Sequence, residues 1–371
     1  MANGNAVNEK KEPFVRIIKC DNTPRWYAWS MRAVAIVFAL LICAVVIVAI
    51  TGLNPLEVYK AMFEGAFGTE RRIWITLRDM MILLCVGIAL APAFKMKFWN
   101  IGAEGQILVG GCATAACMIY LDNVLPLPAL FLVMALTSMA AGAVWGLIPA
   151  IFKAKLNTNE TLFTLMMNYV AIQITSYCVA LWENPYGSNT VGIINSQTKA
   201  GWFPTVFGQQ YALNVMIVLT LALVMYIYLK HSKHGYEITV IGDSENTARY
   251  AGIDVAKVIV RTMLVSGAIA GLSGFIAVAG ASHTISVNTA GGRGFTAIIV
   301  AWLAKFNTFT MIAISFLLVF LQQGACEIAS RFNLNDYASQ MITGIILFFI
   351  LGSEFFINYR LVFRGKMSKE A

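Results

Sequence analysis

The chain has 371 residues, of which 58% are apolar and 12% are charged, whereas about a quarter of the residues are charged in an ordinary soluble domain. So few polar groups cannot cover a soluble globular protein, and the composition also excludes collagen, coiled-coil, disulfide-rich and disordered chains. The net charge of +8 could indicate nucleic-acid binding, but membrane proteins also collect lysine and arginine in cytoplasmic loops. The composition therefore predicts an all-α polytopic membrane protein.

Apolar segments long enough to span a bilayer recur along the whole chain. The first, at 33–50, follows a polar N-terminal segment and is interpreted as a retained span rather than a cleaved signal peptide. The later spans are predicted at 73–94, 98–120, 128–152, 160–182, 212–229, 261–281, 294–305, 308–325 and 338–357. This gives about ten spans, of which 294–305 is too short to cross as a regular helix and is expected to be broken or re-entrant.

The distribution of basic residues sets the predicted orientation. With both termini in the cytoplasm, twenty lysines and arginines fall on the inner side and six on the outer side. Three parts follow: an N-terminal cytoplasmic segment (1–32), a transmembrane domain (33–357) whose longest inner loop is 230–260, and a cytoplasmic tail (358–371). On the outer side, residues 54–68 carry apolar side chains at helical spacing and predict a short amphipathic helix.

Two glycine-interrupted segments occur at matching positions in spans of opposite direction. Gly102 lies 29 residues after the start of the second span, and Gly292 lies 31 residues after the start of the seventh. Spans 2–5 and 7–10 are therefore predicted to be two inverted repeats, an arrangement in which paired broken helices mark a translocation pathway. The alternative is two unrelated packing glycines, since glycine is common in membrane helices.

Polar side chains inside apolar spans are candidates for that pathway, because polar groups are costly in a bilayer unless they face protein or water. The candidates are Asn100, Glu104, Gln106, Asn159 and Asn168. For Glu104, the choice between a group that lines the pathway and an interhelical hydrogen-bond brace stays open. Arg78 and Asp79, near the outer end of the second span, are interpreted as interfacial.

The long inner loop reads GYEITVIGDSENTARYAGID over residues 235–254. Asp243 or Ser244 is placed to cap a short helix over 245–251, with Gly252 after its end. Such a helix is suited to docking a soluble partner, although a solvated loop would have the same composition. The motifs GxxxxGK[ST], HExxH and GxSxG are absent from the sequence, so no catalytic site, cofactor or metal is predicted.

The chain resembles the permease subunits of bacterial ABC importers. The resemblance is carried by the strings TGLNPLEVYKAMFEGAFG (51–68), FWNIGAEGQ (98–106), KAKLNTNETLFTLMMNYVA (153–171) and GYEITVIGDSENTARYAGI (235–253). The most similar branch is the simple-sugar and nucleoside branch, which is related to the ribose and branched-chain amino acid permeases. The similarity runs in order from about residue 33 to residue 355.

This resemblance implies a type II importer fold with two inverted repeats. It also implies that one region docks on an ATPase with two nucleotide-binding halves. That region contains Gly242, Asp243, Asn246, Arg249 and Gly252. A second permease chain, a copy or a paralogue, would complete the pathway, and an extracellular lipoprotein would deliver the substrate. The chain itself would be a non-catalytic transport subunit in the bacterial plasma membrane.

Purine nucleosides are the substrates that this branch implies. The sequence departs from the branch in span two, which reads DMMILLCVGIALAP where a Pro-Leu pair is common, and at 157–160, where Asn-Thr-Asn-Glu replaces Gly-Val-Asn-Glu. Alternatives therefore stay open. They are an ABC permease for a pentose or a riboflavin-like solute, an ion-coupled secondary transporter with Glu104 as the coupling site, and a membrane scaffold without transport.

Overall fold

The computed structural model describes residues 15–19, 25–122, 124–333 and 359–363, with scattered residues between 335 and 355. Most of the predicted span 338–357 and much of the two predicted terminal segments lie outside the described residues. Internal packing divides the chain into two units, Ala66–Gln323 and Met1–Gly65 together with Gly324–Ala371.

Most of the described chain is helical. The elements in chain order are β1 Val15–Lys19, α1 Arg25–Thr51, α2 Pro55–Phe67, α3 Glu70–Lys95, α4 Ala103–Leu121, α5 Leu127–Leu156, α6 Glu160–Leu181, α7 Ala212–His231, α8 Lys233–Asp243, α9 Glu245–Tyr250, α10 Val255–Ala277 with a π-helical turn Val278–Ser282, α11 Arg293–Leu303, α12 Thr308–Arg331 and β2 Tyr359–Phe363. The short helix α2 confirms that residues 54–68 form a helix, while its position on the outer side stays a prediction.

Within the described residues, seven helices are long and apolar enough to cross a membrane: α3 to α7, α10 with its π-helical turn, and α12. Each begins and ends within about six residues of a predicted span, because long apolar segments are a strong local signal. The predicted span 33–50 lies within α1, and the predicted span 294–305 corresponds to α11, which has only 11 residues. The count of ten spans therefore stays a prediction.

Glycines bring α4, α5 and α10 into close contact. A Cβ at Gly142 on α5 would overlap the carbonyl of Gly267 on α10. A Cβ at Gly110 on α4 would overlap the backbone of Gly271, also on α10. Small residues at these positions stabilise the contact through van der Waals packing, which matters in a bilayer because lipid supplies no hydrophobic force between helices. The three helices form the centre of the larger unit.

The helices α3 and α11 run in the same direction. Asp79, in the first half of α3, contacts Arg293 at the start of α11, with 3.3 Å between the carboxylate and guanidinium groups. Further along, Gly87 of α3 lies against Val300 of α11. These helices correspond to the second predicted span (73–94) and the eighth (294–305). If successive spans cross the membrane in alternating directions, the second and the eighth run in the same direction. The relative direction of these two helices therefore agrees with the predicted order.

The smaller unit joins the two ends of the chain. Its strands β1 and β2 form an antiparallel sheet in which Val15 is paired with Phe363 and Lys19 with Tyr359. This sheet departs from the predicted all-α class. Both strands are rich in β-branched or aromatic residues, which favour strands, but a five-residue strand needs a partner to be stable. That partner lies at the other end of the chain, so local sequence could not indicate the pairing.

Candidate functional site

The two glycine-interrupted segments meet at the side chain of Glu104. Glu104 lies in the first turn of α4, and its Oε1 accepts a hydrogen bond from the backbone N–H of Gly292 at 2.7 Å. Its Oε2 accepts a hydrogen bond from the N–H of Gly294 at 2.8 Å. The carboxylate thus closes the N-terminus of α11, where unpaired N–H groups and the helix dipole favour a negative charge.

Glycine suits both of these backbone donors for a physical reason. Gly292, the residue that precedes α11, has a φ of 72°, in the left-handed region that side chains other than glycine rarely adopt. A Cβ at Gly294 would overlap the backbone and carboxylate of Glu104. The sequence GGRG at 291–294 therefore lets α11 approach α4 closely enough for both hydrogen bonds to form.

The predicted span 98–120 needs a correction, because it becomes helical only at Ala103. Asn100 Oδ1 accepts a hydrogen bond from Gly102 N at 3.0 Å, and this side chain holds the preceding residues in a turn instead of a helix. Asn100 Nδ2 also donates to Gln106 Oε1 at 3.5 Å. Both side chains are buried, so their mutual contact satisfies polar groups that water does not reach.

Side chains from α6 supply the remaining partners of this break. Asn168 Oδ1 accepts a hydrogen bond from Gly105 N at 2.8 Å, and its Nδ2 donates to the carbonyl of Ile101 at 2.9 Å. Thr164 Oγ1 accepts a hydrogen bond from Ile101 N at 3.2 Å. The break between α3 and α4 leaves backbone groups without helical partners, and α6 satisfies them.

Four of the five predicted pathway residues come together around the start of α4: Asn100, Glu104, Gln106 and Asn168. All four are buried and hydrogen-bonded, so in this conformation they brace the break. Asn159 does not join them. It is exposed and caps α6, with its Oδ1 accepting a hydrogen bond from Leu162 N at 3.2 Å. For Glu104, the two hydrogen bonds favour the interpretation as a brace.

A second polar group, here called the charge cluster, consists of Arg78, Asp79, Arg293 and Gln323. Asp79 Oδ1 accepts a hydrogen bond from Arg293 Nη2 at 3.3 Å, and Asp79 Oδ2 accepts one from Gln323 Nε2 at 2.8 Å. Arg78 donates to both oxygens at 3.1 Å and lies over the ring of Tyr211, 5.1 Å from its centroid. The cluster therefore links α3, α11 and α12 through one carboxylate.

Asp79 is only 7% exposed and lies among three helices, a burial that the sequence analysis did not predict, whereas its position near the membrane interface stays a prediction. The signal that could have identified it was present, because two adjacent charges in an apolar span need partners. The partners themselves were not identifiable from sequence. Arg293 is 214 residues away from Asp79 along the chain and Gln323 is 244 residues away.

The predicted docking loop contains the short helix that its capping residues indicated. Ser244 Oγ accepts a hydrogen bond from Thr247 N at 3.3 Å and caps α9, and Gly252 follows the helix with a φ of 76°. Ser244, not Asp243, is the cap, because Asp243 ends the preceding helix α8. The predicted docking residues with exposed side chains are Asp243, Asn246 and Arg249.

Helix α8 was not predicted, because KHGYEITVIGD contains glycines and β-branched residues that are weak helix formers. Packing stabilises it: His234, Ile238 and Ile241 share one face and are buried. On the same face, Gly242 lies so close to the end of α3 that a Cβ would overlap the carbonyl of Lys95. The predicted docking region thus touches the backbone where the break before α4 begins.

The family model for the branched-chain amino acid transport system permease component matches residues 73–351, which is most of the chain. The chain belongs to this permease family. The permease is 30% identical over 342 residues to the guanosine ABC transporter permease protein NupP of Bacillus subtilis, covering 91% of this chain and 96% of the relative. This finding confirms the resemblance to ABC permeases.

Two further relatives cover similar shares of the permease. The nucleoside ABC transporter permease protein NupB of Lactococcus lactis is 28% identical, over 85% of this chain and 89% of the relative. The glucose ABC transporter permease protein TsgB13 of Haloferax volcanii is 28% identical, over 91% of this chain and 90% of the relative. Proteins of this family are membrane transport components, and the family implies an ATPase and a substrate-binding protein as partners.

The chemistry available in the permease is hydrogen bonding and charge compensation. Around the start of α4 and α11, the structure brings together amide, carboxylate and guanidinium groups from five helices. Groups of this kind can exchange partners without forming covalent bonds, so the arrangement suits a pathway that changes conformation.

Proposed function

We propose that the permease is the transmembrane subunit of an ABC importer and moves nucleosides inward, purine nucleosides in particular. The observation that carries this proposal is its similarity, over nearly the whole chain, to guanosine and nucleoside permeases. The site offers physical support, because a nucleoside needs hydrogen-bond partners for its ribose hydroxyls and base edges. ATP hydrolysis would take place in the partner ATPase, and the permease would have no catalytic role.

The pathway is proposed to run past the interrupted helices. Asn100, Glu104, Gln106 and Asn168 would brace the break in the state described here and line the pathway when α4 and α11 separate. Asn159, at the exposed start of α6, would line the inner mouth. Support comes from the position of these groups at the paired helix N-termini, where transporters with broken helices place their binding sites.

The ATPase, with its two nucleotide-binding halves, is proposed to dock on α8 and α9. The docking residues would be Gly242, Asp243, Asn246, Arg249 and Gly252. The contact of Gly242 with the Lys95 carbonyl supports this role, because pushing on α8 would move the end of α3. Only a short segment separates Lys95 from Glu104, so the movement would reach the contact between α4 and α11.

Two inverted repeats, one beginning at α3 and one at α10, are proposed to build each permease chain. The packing supports this arrangement, because α3 contacts α11 in the way that α10 contacts α4, and α4 contacts α11. In the two proposed repeats, α3 is equivalent to α10 and α4 is equivalent to α11. The contact of α3 with α11 is therefore the equivalent of the contact of α10 with α4. A second permease chain, identical or paralogous, would complete the pathway, and an extracellular lipoprotein would deliver the substrate.

The permease is proposed to lie in the bacterial plasma membrane with both termini in the cytoplasm. The excess of basic residues on one predicted side supports this orientation. The pairing of β1 with β2 also supports it, because it brings the two ends of the chain together. An even number of membrane crossings would likewise place both ends of the chain on the same side of the membrane.

Uptake of labelled guanosine by cells with and without this gene tests the function. Gene-dependent uptake that is competed by inosine and uridine, but not by ribose, glucose or leucine, is expected. It should stop when ATP is depleted and continue with a protonophore when ATP is held constant. Loss of uptake with the protonophore would instead support an ion-coupled carrier.

A second candidate is a sugar permease, because the glucose permease of Haloferax volcanii is nearly as similar as the nucleoside permeases. A riboflavin permease is less well supported, since the riboflavin relative, from Treponema pallidum, is 24% identical over 78% of this chain. Competition by glucose or ribose alone would favour the sugar permease. Competition by riboflavin alone would favour a riboflavin permease.

A further inference from the structure

The N-terminus of α11 forms an oxyanion site that the permease fills with its own carboxylate. The N–H groups of Gly292 and Gly294 each donate to a different oxygen of Glu104, at 2.7 and 2.8 Å. In transporters with interrupted helices, such N-termini point at the anionic group of the substrate. Here the anion belongs to the protein. Glu104 lies 190 residues before Gly294 along the chain.

The charges beside this site are also matched. Arg293, in the first turn of α11, pairs with Asp79, which also accepts hydrogen bonds from Arg78 and Gln323. The centre thus holds two guanidinium groups and two carboxylates, and all four carboxylate oxygens accept at least one hydrogen bond. The formal charges of these groups cancel. A solute that carries a charge would upset this balance, whereas an uncharged solute would not.

We propose that Glu104 sets the charge selectivity of the pathway: by occupying the oxyanion site of α11, it restricts the permease to uncharged solutes. The inference rests on the proposed transport function. A phosphorylated solute would have to displace Glu104 from Gly292 and Gly294 and would then lie beside the carboxylate of Asp79. Without Glu104, the two N–H groups lose their acceptor and the centre carries a net positive charge, so an anion would be bound.

Chemical rescue of E104A tests the oxyanion site. This substitution removes the carboxylate and leaves room for a small anion beside the two glycine N–H groups. The thermal midpoint of the purified, detergent-solubilised permease is measured in sodium chloride, formate and acetate at equal ionic strength. In chloride we expect a fall of roughly 5 °C or more, with a substantial recovery in formate or acetate because the carboxylate rebinds.

Glu57 supplies the matched control, since it lies in the first turn of α2 and is exposed. E57A is expected to keep the wild-type midpoint in all three salts. An equal midpoint of E104A in chloride and in the two carboxylates would overturn the proposal. If E104A cannot be purified, the thermal midpoint of E104Q is measured instead. Glutamine has nearly the volume of glutamate, but its side-chain NH₂ group is a donor and cannot accept a hydrogen bond from a glycine N–H. A wild-type midpoint for E104Q would also overturn the proposal.

Transport by the reconstituted complex tests the selectivity itself. Labelled guanosine uptake is measured with and without millimolar guanosine 5′-monophosphate, for wild type and E104A. We expect the anion to leave wild-type uptake unchanged and to reduce E104A uptake several-fold. Equal insensitivity of both chains would overturn the selectivity. Rescue by carboxylates without any guanosine uptake would support the oxyanion site and contradict the nucleoside function, so the two failures are distinguishable.

Discussion

Trp99 and Trp302 stack on each other, with ring centroids 5.3 Å apart and ring planes inclined by 24°. Trp99 lies in the break before α4, and Trp302 lies at the end of α11. The buried ring of Phe94, on α3, packs at a steep angle against both. The helix α11 is therefore held to the broken segment at both ends, by Glu104 at its N-terminus and by this stack at its C-terminus.

The aromatic stack should be measurable as a coupling energy. In a double-mutant cycle of W99A and W302A, we expect a coupling of about 0.5–1.5 kcal/mol, the range found for aromatic pairs. Denaturant unfolding in detergent gives the four free energies that the cycle requires. Trp182, which packs on Tyr120 elsewhere, provides the control pair W99A and W182A, for which the coupling should be near zero. Equal coupling in both cycles would contradict the role of the stack.

Removal of the charge on Asp79 should destabilise the larger unit. D79N leaves Arg78 and Arg293 without their counter-charge, and we expect a loss of about 2–3 kcal/mol, since both guanidinium groups are partly exposed. Thermal unfolding in detergent measures the effect. The control is D254N at the exposed cap of α10, where asparagine also caps well and the change should stay within about 0.5 kcal/mol. Similar losses for both variants would argue against the charge cluster.

The close contact of α5 with α10 should not tolerate a methyl group. G142A places a Cβ against the carbonyl of Gly267 and is expected to cost about 1–3 kcal/mol, or to prevent assembly. Yield, monodispersity and thermal midpoint in detergent report the outcome. Gly344 is the matched control, because it is helical and a Cβ there would meet no other atom within 4 Å. If G142A is as stable as G344A, the packing argument fails.

A charge reversal on α9 should weaken binding of the ATPase. The side chain of Arg249 is 67% exposed and pairs with Glu245 at 2.7 Å, and a surface pair of this kind contributes at most about 1 kcal/mol to folding. R249E should therefore leave the fold intact and reduce co-purification of the ATPase several-fold. K257E, on an exposed residue at the start of α10, should leave co-purification unchanged. Normal co-purification of R249E would remove Arg249 from the docking surface.

Stability should fall as the pH drops below neutrality, because of His234 on α8. Burial, followed by the charge of Arg261, lowers the pKa of His234 below its usual value of 6.5. The unfolded chain therefore binds a proton at a higher pH than the folded chain does. The contribution of neutral His234 to stability is complete above about pH 6.5 and is lost as the pH falls through and below that value.

Both ring nitrogens of His234 lie beside hydroxyl groups inside the protein. Its Nδ1 lies at the hydroxyl of Tyr228, and its Nε2 lies 3.2 Å from Thr262 Oγ1. Thermal midpoints at about pH 7.5 and pH 5.5 should differ less for H234Q than for wild type. H231Q, at an exposed histidine, should retain the wild-type difference. An unchanged difference for H234Q would show that another group is responsible.

Local properties of the sequence predicted much of this permease. Long apolar segments predicted the seven helices that can span a membrane, and Ser244 with Gly252 predicted the short helix α9. Two glycine-rich interruptions also predicted where the chain would break. These features depend on hydropathy and backbone conformation over a few neighbouring residues, so they are readable without a tertiary structure.

Only the tertiary structure decided which residues meet. Glu104 binds the N-terminus of a helix nearly 190 residues later, and Asp79 joins Arg293 and Gln323 across more than 200 residues. Helix α8 forms although its residues are weak helix formers, because its buried face packs against neighbouring helices. Hydrogen bonds, ion pairs and packing between distant segments depend on how helices are placed in space. Propensity and periodicity along the chain do not specify that placement.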